Sequence, residues 1–358
     1  MLILTNEDIE ALIDMPATMV ALEAVYRDFG LGDAVDIPRQ DGLVTNPRPG
    51  AIHAFKTMSG SWPRAGITAL RLNSDIVHWP VVAGSPRRVK MPVSTGQRFN
   101  GMVLLFSTDT GQLLCTFNDG VVQNTRVGGT SGVAAKYMAR EDARILGLLG
   151  TGWQAQAQVE AMCGVRRLEL VKVYSPTAAN RERFAATFTR KLGIKIRAVA
   201  TADEAADGAD ILVSATNSMV PTIKPEYLRP GMHITSVRGN EIPLELLGKV
   251  DRLVVHTHVP VGVFAARGWP SEVPEFSIGD YSRQDMGANA HGKAAELKDV
   301  VAGTVQGRQR PDEITCFYNY KGLGLQFAAI GSLIYEAARK RGLGLTVEDN
   351  YFTQSVHP

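Results

Sequence analysis

One short stretch of the sequence has the residue types and spacing of a phosphate-binding loop. It reads G-x-G-x-x-A between a hydrophobic segment and a helix-forming one, and it consists of Gly150, Thr151, Gly152, Trp153, Gln154 and Ala155. In such a loop the first glycine permits a tight turn, the second lets the backbone approach a pyrophosphate, and the small last residue lets the helix pack close to the strand. The N–H groups that begin the helix then face the phosphates. The stretch predicts a dinucleotide site; the alternative is a glycine-rich turn that serves packing alone.

The residues after the next predicted strand bear on which dinucleotide is bound. The strand Leu168–Tyr174 is followed by Ser175, Thr177 and Arg181, where an Asp or Glu would bind the ribose 2′-hydroxyl of NAD. Because no carboxylate would repel a 2′-phosphate there, the hydroxyls and the guanidinium could bind one. The sequence therefore favours NADP slightly over NAD, although Arg181 could equally be a solvated residue of its helix.

Strands that alternate with helices must position this loop. The predicted strands are Arg144–Gly150, Leu168–Tyr174, Ile196–Val199, Ile211–Ala215, His233–Val237 and Leu253–His256. Their alternation with helices, such as Arg181–Leu192, predicts a parallel, doubly wound sheet. Ligands of such sheets bind at the carboxyl ends of the strands. We therefore expect Thr216 and Asn217 to line the nicotinamide ribose.

The first third of the chain has a different pattern. Thr5 and Asp8 form a capping signal before apolar residues at helical spacing, which predicts one or two opening helices. Strands joined by turns are predicted next, over Ala51–Phe55, Gly66–Leu72, Gly101–Phe106 and Gln112–Phe117. Residues 80–98 predict a long exposed loop, either a lid beside a site or a solvated insertion. Further helices are predicted over Ser131–Arg140 and Leu325–Arg339.

Composition excludes several classes of protein. The 358 residues are 45% hydrophobic and 21% charged, which excludes a largely disordered chain. A net charge of +2 gives no electrostatic case for nucleic acid or for an anionic membrane surface. Three scattered cysteines and seven histidines without ligand spacing predict neither disulfides nor a metal site. With no signal peptide or apolar span evident, we expect a cytoplasmic protein without a membrane partner.

Several segments, read together, resemble the ornithine cyclodeaminase/mu-crystallin family. They are Pro38-Arg39, Gln123–Gly129 (QNTRVGG), residues 148–158 (LLGTGWQAQAQ), Pro230–His233 (PGMH) and Gly322–Ala329 (GLGLQFAA). The Gln-Ala pair after the second glycine is the most discriminating, because most Rossmann proteins lack it. The resemblance covers most of the chain.

The resemblance implies an α/β fold in which a Rossmann-type, doubly wound domain is inserted in a strand-rich α+β substrate/dimerisation domain. Residues 126–315 would form the inserted domain, and residues 1–125 and 316–358 the other. The family assembles as homodimers and has its active site in the cleft between the domains. It moves a hydride between a nicotinamide and the Cα of an amino acid or its imine, so the implied partner is a small amino or imino acid.

The same resemblance implies roles for several cations. Arg39 and Arg126 match the family arginines that hold the substrate α-carboxylate, and Arg126 is also expected near the cofactor phosphates. A planar guanidinium suits a carboxylate bidentately and would orient Cα toward the nicotinamide. Two residues compete for the position of a family lysine. We assign Arg71 to the carboxylate and keep Lys56 as a donor or acid/base, since only a lysine can transfer a proton at neutral pH.

The segment after the PGMH strand departs from the family pattern. Cyclodeaminases carry an Asp in this segment. In this chain Glu241 lies at the same distance from the following proline as that Asp, whereas Asn240 lies at the same distance from the preceding glycine. Glu241 is therefore the candidate general acid/base and Asn240 a hydrogen-bonding residue. Phe327 stands where many members carry an acid. These departures rank a redox enzyme (imine reductase or amino-acid dehydrogenase) first, an ornithine cyclodeaminase-type lyase second, and a cofactor-gated binding protein last.

Overall fold

The computed structural model describes residues 1–82, 85–266 and 294–356. Among these residues no helix is both long and apolar enough to cross a membrane. Part of the predicted inserted domain, residues 267–293, lies outside the described residues.

The described strands and helices are as follows in chain order. The strands are β1 (Leu2–Leu4), β2 (Val35–Thr45), β3 (Ala51–Trp62), β4 (Ile67–His78), β5 (Val81–Val82), β6 (Ser85–Pro86), β7 (Val89–Met91), β8 (Asn100–Ser107), β9 (Leu113–Asn118), β10 (Ile145–Leu149), β11 (Leu170–Tyr174), β12 (Lys195–Ala198), β13 (Ile211–Ser214), β14 (His233–Ser236), β15 (Arg252–Val255), β16 (Gly262–Ala265), β17 (Ala295–Glu296), β18 (Thr315–Tyr318) and β19 (Leu345–Thr346). The helices are α1 (Asn6–Leu12), α2 (Met15–Leu31), α3 (Gly120–Met138), α4 (Trp153–Val165), α5 (Ala178–Leu192), α6 (Ala202–Ala206), α7 (Leu244–Leu247), α8 (Leu297–Ala302) and α9 (Leu325–Arg341).

One sheet, here called the cofactor sheet, is parallel throughout its described strands, in the order β12-β11-β10-β13-β14-β18-β15-β17. Helices α3, α4 and α5 pack against one face, and α6 and α7 pack against the other. Apolar side chains alternate between these faces, so that Leu148 of β10 joins the first layer and Leu149 the second. The predicted parallel, doubly wound sheet is confirmed.

The other large sheet, here called the substrate sheet, is mixed and mostly antiparallel. Its order is β16-β2-β3-β4-β8-β9-β1-β19, and β7 also pairs with β4. Helix α9 lies across the inner face of this sheet and begins in direct contact with β3. This contact is possible because Gly324, just before α9, and Gly60, on β3, are both glycine. A Cβ on Gly324 would lie 2.1 Å from the carbonyl carbon of Ser59, and one on Gly60 would lie 2.5 Å from the backbone nitrogen of Leu325.

Two predictions about local structure need correction. The helix predicted from Ser131 begins at Gly120, so Arg126 lies inside α3. Its glycines weaken the helical signal in the sequence, but the helix is stabilised by packing against α2 and α4. Residues 93–100 are exposed as predicted for the 80–98 loop, whereas Val89–Met91 forms β7, which is half-buried and paired with β4.

The predicted domain boundaries fall within elements of the fold. The boundary between residues 125 and 126 lies in α3, and the boundary between 315 and 316 lies in β18 of the cofactor sheet. Strand β16, from the range of the inserted domain, joins the substrate sheet through β2. The division into domains therefore stays a prediction, while the two sheets give the units that position the site.

Candidate active site

A cleft of about 760 Å³ lies between the substrate sheet and the carboxyl ends of the cofactor-sheet strands. Both sheets contribute to its wall. The predicted site residues that line it are Arg39, Lys56, Arg71, Arg126, Gln154, Thr216 and Asn240. The structure thus brings the cations of β2, β3, β4 and α3 together with the phosphate loop.

Arg126 lies at the centre of this wall and is buried. Its guanidinium donates to Gln123 Oε1, at 2.9 Å from Nη2, and to Gln326 Oε1, at 2.8 Å from Nη1. Burial and the nearby charge of Arg71 lower its pKa to about 9. Gly322 makes room for the group, because a Cβ there would lie 2.6 Å from Nη1. Among the described residues, then, Arg126 is held by amides and has no carboxylate ion pair.

Arg71 lies beside Arg126 and is also buried. Its Nε and Nη2 both donate to Asp119 Oδ2, at 2.8 and 2.6 Å. The ring of Phe327 lies 5.7 Å from Arg71 Cζ and 5.5 Å from Arg126 Cζ. A fully buried aromatic ring therefore supports both guanidinium groups at this end of the cleft.

Lys56 and Lys90 also line the cleft, and both pair with the same carboxylate. Their Nζ atoms lie 3.1 and 2.9 Å from the two oxygens of Asp75. Burial, together with the charges of Arg88 and Arg39, lowers the pKa of Lys56 well below its ordinary value, although Asp75 opposes this shift. Burial alone would raise the pKa of Asp75, but the two ammonium groups lower it.

Arg39 reaches the cleft from β2, where it is fixed by a neighbouring residue. Its Nε and Nη2 donate to the two oxygens of Asp41, each at 2.6 Å. This bidentate pair holds the guanidinium beside the cleft, with its charge already balanced by a buried carboxylate.

The structure separates Asn240 from Glu241, the residue that the sequence favours as the acid/base. Asn240 lines the cleft and donates from Nδ2 to the carbonyl of Ser218 at 2.7 Å. Glu241 is fully buried and does not line the cleft. Its Oε1 accepts from Ser214 and from the N–H and hydroxyl of Thr216, at 2.6–2.8 Å.

The other oxygen of the Glu241 carboxylate, Oε2, accepts hydrogen bonds from the N–H groups of Val237 and Arg238. Burial nevertheless raises its pKa. A carboxylate that ties two loops together inside the protein is poorly placed to meet a substrate. The geometry therefore argues against the acid/base role predicted for Glu241.

The phosphate loop has the shape that a dinucleotide requires. Gly150 has φ of +113°, and a Cβ there would lie 2.2 Å from the carbonyl oxygen of Ala215, so no larger residue fits. A Cβ on Gly152 would meet nothing within 4 Å, which leaves open space at the N-terminus of α4. Ala155 is buried against the strand. Thr151 and the half-exposed Trp153 flank this opening, so the loop fits a pyrophosphate on helix N–H groups.

The end of β11 carries the three residues predicted to bind the cofactor ribose, and that role stays a prediction. Arg181 donates from Nη1 to the carbonyl of Ser175 at 2.9 Å, which holds the guanidinium at the strand end. Thr177 is exposed at the start of α5. Residues 174–181 contain no acid.

The loop after β13 connects the two sides of the cleft. Thr216 lines the cleft, while Asn217 is exposed and accepts from Arg87 Nη1 at 2.6 Å. Arg87 also forms a β-bridge with Ser218. The segment before β7 therefore holds the loop that was predicted to line the nicotinamide ribose.

Sequence reasoning missed several residues that line the cleft. They are Asn73, Arg88, Lys90, Glu245, Tyr318 and Lys321. Asn73 follows Arg71 at the spacing of one strand face, a signal that could have found it. Lys90 lay in a segment predicted to be an exposed loop, and Lys321 reaches the cleft from a turn with φ of +69° that no sequence pattern marked.

A model of the ornithine cyclodeaminase/mu-crystallin family matches residues 1–342 of the chain. The chain belongs to this family. It is 31% identical to a Delta(1)-pyrroline-2-carboxylate reductase of Bacillus cereus over 273 residues, 75% of this chain and 79% of the relative. It is 28% identical to an alanine dehydrogenase of Archaeoglobus fulgidus over 353 residues, 97% of this chain and 98% of the relative.

A solved member of the family has the same fold. It is the Delta(1)-pyrroline-2-carboxylate reductase of Thermococcus litoralis in complex with NADH and L-proline, which matches with a TM-score of 0.77 and 28% identity. The match covers 97% of this chain and all of the other. The predicted family and fold class are thus confirmed.

Proposed function

We propose that this member of the ornithine cyclodeaminase/mu-crystallin family is a nicotinamide-dependent oxidoreductase that interconverts an imino acid and the corresponding amino acid. One observation carries the proposal: Arg71 and Arg126, supported by Phe327, face the cofactor loop residues Gln154 and Thr216 across one cleft. A carboxylate clamp opposite a nicotinamide site is what hydride transfer to Cα needs.

The bound nicotinamide would supply or accept the hydride. Arg71 and Arg126 would bind the substrate carboxylate and orient Cα toward the cofactor face of the cleft. Gly150 and Gly152 would hold the pyrophosphate close to the backbone, and the buried Oε1 of Gln154, which has no hydrogen-bond partner among the described residues, is available to a bound group.

Lys56 is the proposed proton donor to the imine nitrogen. It lies in the wall of the cleft near the carboxylate clamp, and its depressed pKa makes its ammonium a stronger acid than an exposed lysine. In the oxidative direction the neutral amine of Lys56 would accept the proton again. Asp75 would keep the Nζ atom in place at 3.1 Å.

The geometry supports a redox enzyme over a cyclodeaminase. The side chain that reaches the cleft after the PGMH strand is the amide of Asn240, which cannot transfer a proton, while the acid Glu241 is buried. The pyrroline-2-carboxylate reductase and alanine dehydrogenase relatives are likewise named for redox reactions and not for cyclodeamination.

Product, reduced cofactor and ammonia, measured in the same wells, test this function. Purified protein is incubated with a panel of L-amino acids, including ornithine and proline, and with NAD⁺ or NADP⁺. Equal amounts of keto acid or imine product and of reduced cofactor support the redox reaction. Ammonia in large excess over reduced cofactor would instead identify a cyclodeaminase that recycles its cofactor.

Arg126→Ala tests the clamp directly. We expect kcat/KM to fall by at least about 100-fold, because a buried charge-assisted contact is lost. Arg190→Ala on the surface of α5 is the matched control. Full activity of Arg126→Ala would remove the clamp from the mechanism, and circular dichroism checks that the variant is folded.

Two finer properties belong to the same proposal. The absence of an acid at the end of β11 and the presence of Arg181 favour NADP over NAD. The exposed apolar residues on the outer face of the substrate sheet favour a homodimer. A cytoplasmic location stays a prediction from the sequence.

A further inference from the structure

A chain of buried side chains connects the proposed clamp to the turn that follows β18. Its members are His256, directly after β15, Tyr26 on α2 and Gln326 on α9, and each is no more than 2% exposed. The chain begins at the carbonyl of Lys321 and ends at the guanidinium of Arg126. None of these three described side chains lines the cleft, so they lie behind its wall.

The carbonyl oxygen of Lys321 fixes the direction of these hydrogen bonds. A carbonyl can only accept, so the Nδ1 atom of His256, 2.9 Å away, must carry a proton and donate it. Burial and the charge of Arg126 lower the pKa of His256 to about 4, although the Lys321 contact opposes this shift. The ring is therefore neutral at pH 7, and its Nε2 atom is an acceptor. The hydroxyl of Tyr26, whose pKa is raised by burial, keeps its proton and donates to Nε2 at 2.6 Å.

The same rule orients the amide of Gln326. Because the Tyr26 proton points to His256, the Tyr26 oxygen accepts, and the Nε2 atom of Gln326 donates to it at 2.9 Å. The same nitrogen also donates to the hydroxyl of Thr130 at 2.6 Å. The oxygen of the amide is thereby left to accept from Arg126 Nη1 at 2.8 Å.

The reverse orientation of Gln326 would place donors against donors. Its NH₂ group would then face both the Arg126 guanidinium and the N–H of Leu323, which donates to the amide oxygen at 3.0 Å. These groups are buried, and a buried donor without an acceptor is costly. The orientation that the chain imposes is therefore the one that fixes Arg126 without balancing its charge.

We propose that His256, Tyr26 and Gln326 are positioning residues for the carboxylate clamp. Their hydrogen bonds turn the Gln326 oxygen toward Arg126 and hold the guanidinium at the angle from which it binds a substrate carboxylate. The inference rests on the proposed function and deepens it, because these three side chains act on the substrate only through Arg126.

Tyr26→Phe removes one hydroxyl from the middle of the chain and keeps the ring. Kinetics are measured with L-proline, L-alanine and L-ornithine as probes, each with NADP⁺ and NAD⁺. We expect kcat/KM for the amino acid that is turned over to fall by about 10-fold, because Gln326 is no longer held in one orientation, while the KM for the cofactor stays the same. Tyr227→Phe, which removes a hydroxyl that donates to Asp203 in the other layer of the cofactor sheet, is the matched control and should change neither.

The double variant with Arg126→Ala distinguishes positioning from general support of the fold. If Tyr26 acts through Arg126, Tyr26→Phe should lower kcat/KM by less than about 2-fold once the guanidinium is absent. A role in stability alone would have its full effect in both backgrounds. Equal losses with and without Arg126 would overturn the assignment.

Two substitutions of His256 test the start of the chain. In His256→Gln the new side chain can still accept from the Tyr26 hydroxyl, whereas in His256→Phe it cannot. We expect His256→Gln to keep a kcat/KM about 5-fold higher than that of His256→Phe. Thermal unfolding checks that both variants are folded, and equal losses in the two would overturn the part given to His256.

The outcomes separate this inference from the proposed function. Full activity of Tyr26→Phe would overturn the positioning role and leave the oxidoreductase intact. No redox turnover of any amino acid by the unmodified protein would overturn the proposed function, and the inference with it.

Discussion

At the scale of single residues, Arg126 shows how the protein keeps a charge available. A buried guanidinium normally has a carboxylate partner, but this one is held by the amides of Gln123 and Gln326. Gln326 is itself fixed by donating to the hydroxyls of Tyr26 and Thr130, at 2.9 and 2.6 Å. The amides thus offset the cost of burying the charge only in part, and under the proposed function a substrate carboxylate would offset the rest.

We expect the preference between NADP and NAD to depend on Ser175. Ser175→Asp places a carboxylate at the end of β11, where it would repel a 2′-phosphate and accept from a ribose 2′-hydroxyl. We expect the ratio of kcat/KM for NADP to that for NAD to fall by about tenfold or more. Thr187→Asp, on the exposed side of α5, is the control for added charge. An unchanged ratio in Ser175→Asp would contradict the role given to this strand end.

Asp36 makes stability depend on pH. It is half-buried at the start of α9, where the N–H of Leu325 donates to it at 3.0 Å, and burial raises its pKa to about 7. Because the folded state holds this proton more tightly than the unfolded state, stability is lost as the pH rises toward and through 7.

Asp36→Asn should remove this loss. At each pH the free energy of unfolding of the variant is compared with that of the unmodified protein by urea unfolding. We expect this difference to shift in favour of the variant by about 1–3 kcal/mol from pH 5 to pH 8. Asp33→Asn, an exposed position just before β2, controls for removal of a carboxylate. The same trend in the control would show that Asp36 is not its source.

At the scale of elements, α3 connects the clamp to the cofactor loop. It carries Arg126 and packs against α4, which begins at the phosphate loop. The contact is close because residue 128 is glycine: a Cβ there would lie 2.6 Å from both the Cβ and the carbonyl oxygen of Ala157. We therefore expect the distance between α3 and α4 to set how the proposed clamp faces the cofactor.

Gly128→Ala should separate these two helices. We expect the free energy of unfolding to fall by about 1–3 kcal/mol, the usual cost of overpacking, and the KM for the cofactor to rise. Gly120→Ala on the same helix meets no atom within 4 Å and has no unusual φ, so it should be neutral or stabilise slightly. Equal effects of the two substitutions would refute the packing argument.

The elements also show what could be predicted from the sequence. Strand β10, the phosphate loop and α4 follow from local patterns, and the structure has them as predicted. The start of α3 was missed because its glycines serve contacts with other helices, which no local pattern records. For the same reason the sequence favoured Glu241, whereas Asn240 faces the cleft, since a one-residue shift in a short turn decides which side chain does so.

At the scale of the whole molecule, the substrate sheet has two unlike faces. Its inner face carries the cations and α9. On its outer face, the exposed Phe55 and Phe264 lie on either side of Gly42 in the strand register, and Ile37, Val44 and Met102 extend the apolar surface. Contiguous apolar surface of this kind is typical of a protein interface. We expect this face to form the homodimer.

Phe55→Asp tests the dimer while sparing the site. Phe55 points away from Lys56, because neighbouring residues of a strand face opposite sides of a sheet. A charge in the centre of the interface would be buried without a partner in both subunits of a two-fold dimer, which costs several kcal/mol. We expect sedimentation velocity at micromolar concentration to give a monomer, while Val20→Asp, an exposed apolar position on α2, stays dimeric. Since every predicted contact to cofactor and substrate comes from one chain, a folded Phe55→Asp monomer should still bind NADP(H); a variant that remains dimeric would place the interface elsewhere on the molecule.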